Sequence, residues 1–458
     1  MGEQQLRLYS TSGILGYGYK DESFQRAAES GLDLIACDGG STDPGPNYLG
    51  MGKAFVGRDA AKRDLKNMLI AGHDRKIPVI IGTSGGAGGD PHLQWMREIV
   101  EEIARENDLH FKVALIHSEQ SVEYVAEKLE QGKVSPLWPM SPLTKENLNK
   151  STSIVGMMGV EPYIEALGQG AQVILAGRSD DSAIFASMPI KEEFDPALGW
   201  MAGKLLECGA ACTVPRQKYG SEGLIVSVRE DHILVEAPHP GLQCTPLSIG
   251  TFILHENETP LYHTEPSGVL DLSQLQFEAV DDRTVKVTGA KFVPSDKYTV
   301  RLEGVEFVGY RSICVSTTRD PVLVGCIDEY IDSVSEIVRQ RVDGLGISQD
   351  DYKMVYRVMG KDSVMGSREP VKELSTHELG VIIEAVAPTQ DMANEIVGIA
   401  RQAAKNGHYN GKLCDEGCIT FPYSPSDIPV GPVYQFNMLH TVEPDNPLEM
   451  FPIEYVNV

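Results

Sequence analysis

Short apolar runs recur through the first half of the chain and alternate with amphipathic stretches. They cover residues 6–10, 32–37, 79–81, 113–117, 154–157 and 172–176. Continuous apolar runs bounded by glycine-rich or polar loops read as strands buried on both faces, the mark of a parallel sheet. The intervening stretches repeat at helical spacing. One begins at Asp21, runs through Phe24, Ala27 and Ala28, and stops at Gly31, suited to a left-handed cap. A second spans 53–70. A third carries Leu93, Met96, Ile99, Val100 and Ile103 on one face, and a fourth Ile164 and Leu167. Alternating units of this length predict an α/β domain over residues 1–222, a doubly wound and mostly parallel sheet.

From Gly223 the texture changes. Strand patterns at 224–228, 233–235, 285–287, 298–302 and 308–313 are interrupted by a short helix near 248–255. Asp320-Pro321 then opens a long helix through Val324, Ile327, Tyr330, Ile331, Val334 and Ile337. Residues 223–347 therefore read as an α+β domain. After a polar linker at 344–351 come strands at 354–358 and 381–386, a helix at 389–404, and strands at 413–421 and 433–440. A helix-on-antiparallel-sheet domain over 348–458, ferredoxin-like in shape, fits that order and size and is a candidate for assembly into a homo-oligomer.

Charge narrows the function classes. The 458 residues carry a formal net charge of -25, which argues against nucleic-acid and anionic-membrane partners, since both require clustered positive charge. No run reaches membrane length and none near the start resembles a secretion signal, so a cytoplasmic location is expected. Eight cysteines in a chain of this size then read as reduced thiols. Cys208 with Cys212, and Cys414 with Cys418, share a helical offset that would align their sulfurs, but neither pair has a partner pair at zinc-finger spacing.

The candidate chemistry lies where the strands end. After Ile81 come five glycines within eight residues, Gly82 to Gly89, with Thr83 and Ser84 among them and a helix behind. Strand, glycine turn, helix is the geometry that aims backbone N–H groups at an anion. Thr83, Ser84, Gly85, Gly86 and Gly88 are thus candidate substrate contacts. No Gly-Lys-Ser/Thr follows, and the strict dinucleotide fingerprint is absent. After Cys37 the loop Asp38-Gly39-Gly40-Ser41-Thr42-Asp43 offers two carboxylates for acid/base work or a metal, with Gly39, Gly40 and Ser41 as contacts; turn-building and helix capping account for the same residues. His117 closes another strand and is a candidate base. Gly177-Arg178-Ser179-Asp180-Asp181 offers a guanidinium fork for a carboxylate or phosphate, with Asp180 and Asp181 as substrate contacts or helix caps. A loop with Pro136, Trp138, Pro139 and Pro142 reads as a lid or a domain crossing. Gly199 to Ala210 reads as a small-residue helix that packs tightly and lines the site.

Four blocks carry a resemblance. Ile174-Leu175-Ala176-Gly177-Arg178-Ser179-Asp180-Asp181, Lys204-Leu205-Leu206-Glu207-Cys208-Gly209-Ala210, Tyr298-Thr299-Val300-Arg301-Leu302-Glu303-Gly304 and Val308-Gly309-Tyr310-Arg311 are similar, in order, to the acyclic terpene utilisation (AtuA-like) family. The similarity runs over roughly residues 5–345, and the last hundred residues resemble the ferredoxin-fold domain often appended in that family. The resemblance implies catabolism of branched terpenoid acids as coenzyme A thioesters. The loop from Cys37 to Asp43 departs from the form of terpenoid-pathway members, so a shorter carboxylate or acyl thioester is an equal expectation.

Together these residues predict an enzyme that binds a small carboxylate or acyl-CoA substrate through Arg178 and the Gly82–Gly89 loop. Asp38, Asp43 or His117 would remove a proton alpha to the carbonyl, and backbone N–H groups would stabilise the enolate. That is lyase, hydratase or isomerase chemistry. The alternatives are a thioester or amide hydrolase with Cys208 or Ser84 as nucleophile, and a non-catalytic scaffold subunit of a catabolic complex. The cofactor is open: Asp38, Asp43, Asp180 and Asp181 are hard oxygen ligands suited to magnesium or manganese, or no metal is used.

Overall fold

The computed structural model of the chain describes residues 5–215, 222–254, 259–413 and 418–458. Two compact units divide it: Met1–Glu306 with Phe436–Val458, and Phe307–Gln435.

The first unit is organised on a ten-stranded sheet. Its centre is five parallel strands: Leu6–Ser10 (β1), Leu34–Asp38 (β2), Val79–Gly82 (β3), Lys112–Ile116 (β4) and Val173–Ala176 (β5). They lie in the order β1-β2-β3-β5-β4, with Leu8 opposite Leu34, Ala36 opposite Ile80, and Ile174 opposite both Ile80 and Ala114. Alternate residues face opposite layers. Leu34, Ala36, Ile80 and Ile174 enter one core, while Ile35, Cys37, Ile81 and Leu175 enter the other, which is why these strands read as unbroken apolar runs.

Helices cover both faces. Asp21–Ala28 (α1), Arg58–Arg75 (α2) and Asp90–Asn107 (α3) bury Phe24, Leu65, Met68, Leu93 and Met96 against one. Glu161–Gly168 (α4), Ala183–Lys191 (α5) and Pro196–Leu206 (α6) bury Tyr163, Phe185, Trp200 and Leu205 against the other. All but the first residue of α6 are buried, as expected for a helix apolar on every side.

The sheet is parallel only at its centre. Leu224–Val228 pairs antiparallel with β1, and Ile233–Glu236, Val285–Thr288 and Gln276–Ala279 extend that edge antiparallel. At the other edge Ile453–Asn457 pairs antiparallel with β4. A small sheet of Tyr262–Glu265, Gly268–Asp271 and Lys291–Pro294 lies beyond, and residues 301–306 pair with Ser151–Met157.

The second unit follows a β-α-β-β-α-β order. The later part of the strand Val300–Thr318 pairs antiparallel with Leu379–Ala387, which pairs antiparallel with Lys353–Met359; Asp427–Val442 neighbours the first of these. Helices Ile327–Asp343 and Gln390–Asn406 cover one face, burying Tyr330, Val334, Val338, Ile396 and Val397 against Cys314, Val381 and Ile383. The long helix expected after Asp320 is broken. Asp320 caps a first turn, Pro321–Gly325, through the Val322 amide (2.8 Å), and Cys326 leaves helical geometry before the main helix begins. The strand predicted at 413–421 and residue Cys414 fall partly or wholly outside the described residues, as does the end of the short helix predicted near 248–255, which is observed at Pro246–Phe252. Among the described residues, no helix is long and apolar enough to cross a membrane.

Candidate functional site

Strands β2, β3 and β5 are direct neighbours, so the loops that leave their carboxyl ends meet. A Cβ at Gly82 would lie 2.7 Å from Asp38 Oδ1, and one at Gly88, where φ is +71°, would lie 2.2 Å from the Arg178 nitrogen. Glycine at these positions is what lets three loops touch. Thr83 adopts φ +31°, a left-handed conformation rare for a β-branched residue and typical of functional loops. Its hydroxyl donates to the Ser179 carbonyl (3.3 Å) and accepts from the Ser179 amide (3.3 Å).

Three amides of the Gly82–Gly89 loop are used within the loop itself. Gly86 N–H donates to the Thr83 carbonyl, Ala87 and Gly88 N–H to that of Ser84, and the Asp90 amide at the start of α3 donates to Glu119 Oε2 (2.9 Å). The protein's own carboxylate thus takes the anion position at this helix end. Gly85 and Gly86 turn the chain with positive φ. Ser84 Oγ is buried without a hydrogen-bond partner among the described residues, so no base activates it as a nucleophile.

Arg178 is equally internal. Its side chain is 4% exposed and Glu303 is 1% exposed. Nε donates to Glu303 Oε2 (2.9 Å), Nη2 to Oε1 (3.4 Å), and Nη1 to the Ser179 carbonyl (2.7 Å). Glu303 also meets Arg301 (2.9 Å) and accepts from the Thr42 hydroxyl (3.0 Å). Burial opposes charge on Glu303, yet Arg178 and Arg301 hold its carboxyl below the ordinary range. The guanidinium fork expected to meet substrate is therefore closed on a buried glutamate.

Asp38 is in the opposite situation. Its Oδ2 accepts from the Gly40 amide (2.7 Å), while Oδ1 is buried with no hydrogen-bond partner among the described residues. Burial pushes its carboxyl up to about 7, and the Gly40 amide and Arg178 charge pull it back only in part. Asp181 stands near Arg178 (3.7 Å) with 40% of its side chain exposed. Burial first, then the Asp38 charge, push it up as well, and its contact with solvent tempers that rise. Asp180 caps α5, accepting from the Ser182 and Ala183 amides at 3.0 Å each.

Three further groups join this cluster from elements that no strand-end argument reaches. Lys204, buried in α6, donates to Glu207 Oε1 (2.7 Å), and the Ser182 hydroxyl donates to Oε2 (2.8 Å). Burial pushes Glu207 up to about 7 against the opposing Lys204 charge. Glu265, on the small sheet, is fully buried and makes no hydrogen bond through either oxygen among the described residues; His263 Nε2 approaches to 3.4 Å. Burial, then the charges of Asp180 and Glu207, raise its carboxyl well above the ordinary range. The sequence signal for Lys204 and Glu207 was two charges three residues apart around the end of an otherwise apolar helix. Glu265 and Glu303 had none.

Other expected site residues lie elsewhere. Asp43 is exposed in a surface turn in which its amide donates to Ser41 Oγ (3.2 Å); Gly39 and Gly40 are buried behind Asp38. His117 Nδ1 bonds Asp90 Oδ1 (2.8 Å), and Nε2 is 4.0 Å from Glu454. The Asp90 hydrogen bond raises its pKa, which favours an imidazolium over a free base. The four aspartates do not form a ligand set, and among the described residues no group of three or more His, Cys, Asp or Glu is placed to hold a metal. Cys208 and Cys212 do not share a helix face: α6 ends at Leu206, Gly209 turns with φ +57°, and the Cys212 thiol bonds Cys244 instead.

A family model, that of the acyclic terpene utilisation family protein AtuA, matches residues 58–417. No curated protein and no solved structure matches the chain.

Proposed function

We propose, since the chain belongs to the acyclic terpene utilisation family AtuA, that it is a catabolic enzyme that removes a proton alpha to the carbonyl of a small carboxylate or acyl-CoA substrate. The reaction class is that of a lyase, hydratase or isomerase. One observation carries this reading: Asp38 is a buried carboxyl with one oxygen tied to the Gly40 amide, the other unpartnered, and its pKa pushed up to about 7. A base poised near the working pH has the best balance of ionised fraction and proton affinity.

In this scheme Asp38 Oδ1 accepts the proton. The developing enolate oxygen is stabilised by the Lys204 ammonium and by Glu265, which in its protonated form donates a hydrogen bond. Asp181 lines the entry, and Thr83 and Ser84 supply hydroxyls. Arg178 and Glu303 hold the loops in register without touching substrate. The ferredoxin-like domain expected over 348–458 is not a separate unit, since Phe436–Val458 belongs with Met1–Glu306; the β-α-β-β-α-β order of Phe307–Gln435 is what remains in favour of a ferredoxin-like shape, suited to homo-oligomer assembly in a cytoplasmic enzyme.

The test is proton NMR in deuterium oxide with a panel of carboxylates and acyl-CoA thioesters. Enzyme-dependent exchange at the alpha carbon is expected, and Asp38→Asn should lower its rate at least about a hundredfold. Exchange that survives in a folded Asp38→Asn protein would remove Asp38 from the mechanism. No exchange or turnover across the panel would overturn the reaction class.

A further inference from the structure

The second unit holds its own cluster of charge on the sheet face opposite its two helices. Glu384 lies in the middle strand, Leu379–Ala387. In the flanking strands Arg311 stands opposite Val386 and Arg357 opposite Ile382, each two residues from Glu384 and therefore on its face. Both arginines reach diagonally inward. Arg311 Nε donates to Glu384 Oε1 (2.8 Å) and Arg357 Nε to Oε2 (3.3 Å). Glu384 is 9% exposed, whereas the arginine side chains are 36% and 48% exposed.

The carboxylate thus holds both guanidinium groups by their inner nitrogens. Their terminal Nη groups have no partner among the described residues. One carboxylate between two guanidinium ions leaves a local charge of +1 and two donor forks fixed in direction. A cavity of about 550 Å³ lies over them, within the size range of small-ligand sites. Tyr352 and Tyr434 line it together with apolar side chains such as Val386 and Pro388. Lys353, Asp350 and Asp351 also line it, and all three are exposed, so water screens their charges and the two guanidinium forks are what the cavity floor offers an anion.

We propose that this cavity is a binding site for a small amphiphilic anion, a phosphate or carboxylate head held by Arg311 and Arg357 with an apolar or aromatic body against the tyrosines. Glu384 is its positioning residue: it aims the two forks and offsets their repulsion until the anion arrives. The site belongs to the Phe307–Gln435 unit alone and does not depend on the reaction proposed for the first unit.

The experiment titrates the full chain with phenyl phosphate and with benzoate, and with phenol as the uncharged control, by calorimetry. At least one anion is expected to saturate and phenol is not; which anion binds tighter distinguishes a phosphate from a carboxylate head. Arg357→Gln and Arg311→Gln should each weaken that binding about tenfold or more while alpha-carbon exchange stays unchanged. Arg357 is half exposed, so its substitution tests the site even if the Arg311 variant does not fold. Absence of saturable anion binding, binding undiminished in Arg357→Gln, or a dimer that hides this face would each overturn the proposal.

Discussion

Glu303→Gln tests the claim that Arg178 is a structural ion pair rather than a substrate fork. The substitution keeps shape and an acceptor for the Thr42 hydroxyl but removes the charge. Arg301, 37% exposed, can turn to water. Arg178, 4% exposed, cannot, and it keeps Asp181 at 3.7 Å and the charge of Asp38 as carboxylate neighbours. Breaking a buried pair by neutralising one partner costs about 3–5 kcal/mol; Asp181 keeps the expected loss near the lower end, about 3 kcal/mol. Urea unfolding followed by tryptophan fluorescence isolates the effect, because Trp95, Trp138 and Trp200 are the chain's three tryptophans and all lie in the unit that contains the pair. The loss should also depend on pH. Glu303 titrates lower in the folded chain than in the unfolded one, so its contribution is full above its unfolded value of about 4 and fades as pH falls through the folded value. Wild type and variant should converge in acid. Arg178→Met with Glu303→Leu should recover much of the loss. A loss below about 1 kcal/mol, or one that persists undiminished at pH 2, would refute the assignment.

Asp38→Asn should abolish exchange yet raise stability at pH 8. The folded chain holds the Asp38 proton up to about 7, so wild-type stability declines as pH rises from about 4 to about 7, and asparagine removes that decline; urea midpoints at pH 5 and pH 8 measure it. The His117 imidazole should titrate above its ordinary 6.5 in proton NMR and fall back in Asp90→Asn, with its stabilising share present below 6.5 and lost as pH rises through the folded value. Gly88→Ala should cost more than about 3 kcal/mol, because a Cβ 2.2 Å from the Arg178 backbone, at φ +71°, has no relaxed position; a soluble variant with wild-type thermal stability would contradict it.

The strands of the first unit could be read from the chain because burial on both faces leaves runs such as Val79-Ile80-Ile81 without a polar break. Their order could not. Pairing is decided by crossovers, and nothing local in Val173–Ala176 says that it inserts between β3 and β4, or that Ile453–Asn457 returns to the far edge. The same limit governs the site. Asp38, Thr83, Ser84, Arg178 and Asp181 stand out in the sequence because they follow parallel strands at their carboxyl ends, and the structure brings those loops together. Glu265 and Glu303 come from antiparallel strands far along the chain and meet the cluster only through tertiary packing. Arg178 precedes a helix start in sequence, but its neighbour in space is Glu303, which no local pattern announces.

That contrast separates scaffold from chemistry within one cluster. Arg178 and Glu303 are buried with opposite charges in hydrogen-bond contact, and each stabilises the ionised form of the other. Lys128, almost fully buried between Asp445 and Glu449, repeats the arrangement at the edge of the same unit. Such pairs are satisfied as they stand and have nothing left to give a substrate. Asp38 Oδ1 and both Glu265 oxygens are buried without a hydrogen bond among the described residues, His263 standing 3.4 Å from Glu265, a cost of about 1–3 kcal/mol for each unpartnered group. A folded chain keeps such groups where binding or reaction relieves the cost. The two carboxyls also differ in a useful way. Burial pushes Asp38 up to about 7 and Glu265 well above the ordinary carboxylate range, so the two would serve the proposed reaction as base and hydrogen-bond donor. In the proposed reaction Asp38 is the base and Glu265 and Lys204 are the groups that would meet the developing charge, while Arg178, paired with Glu303, holds the loops in register.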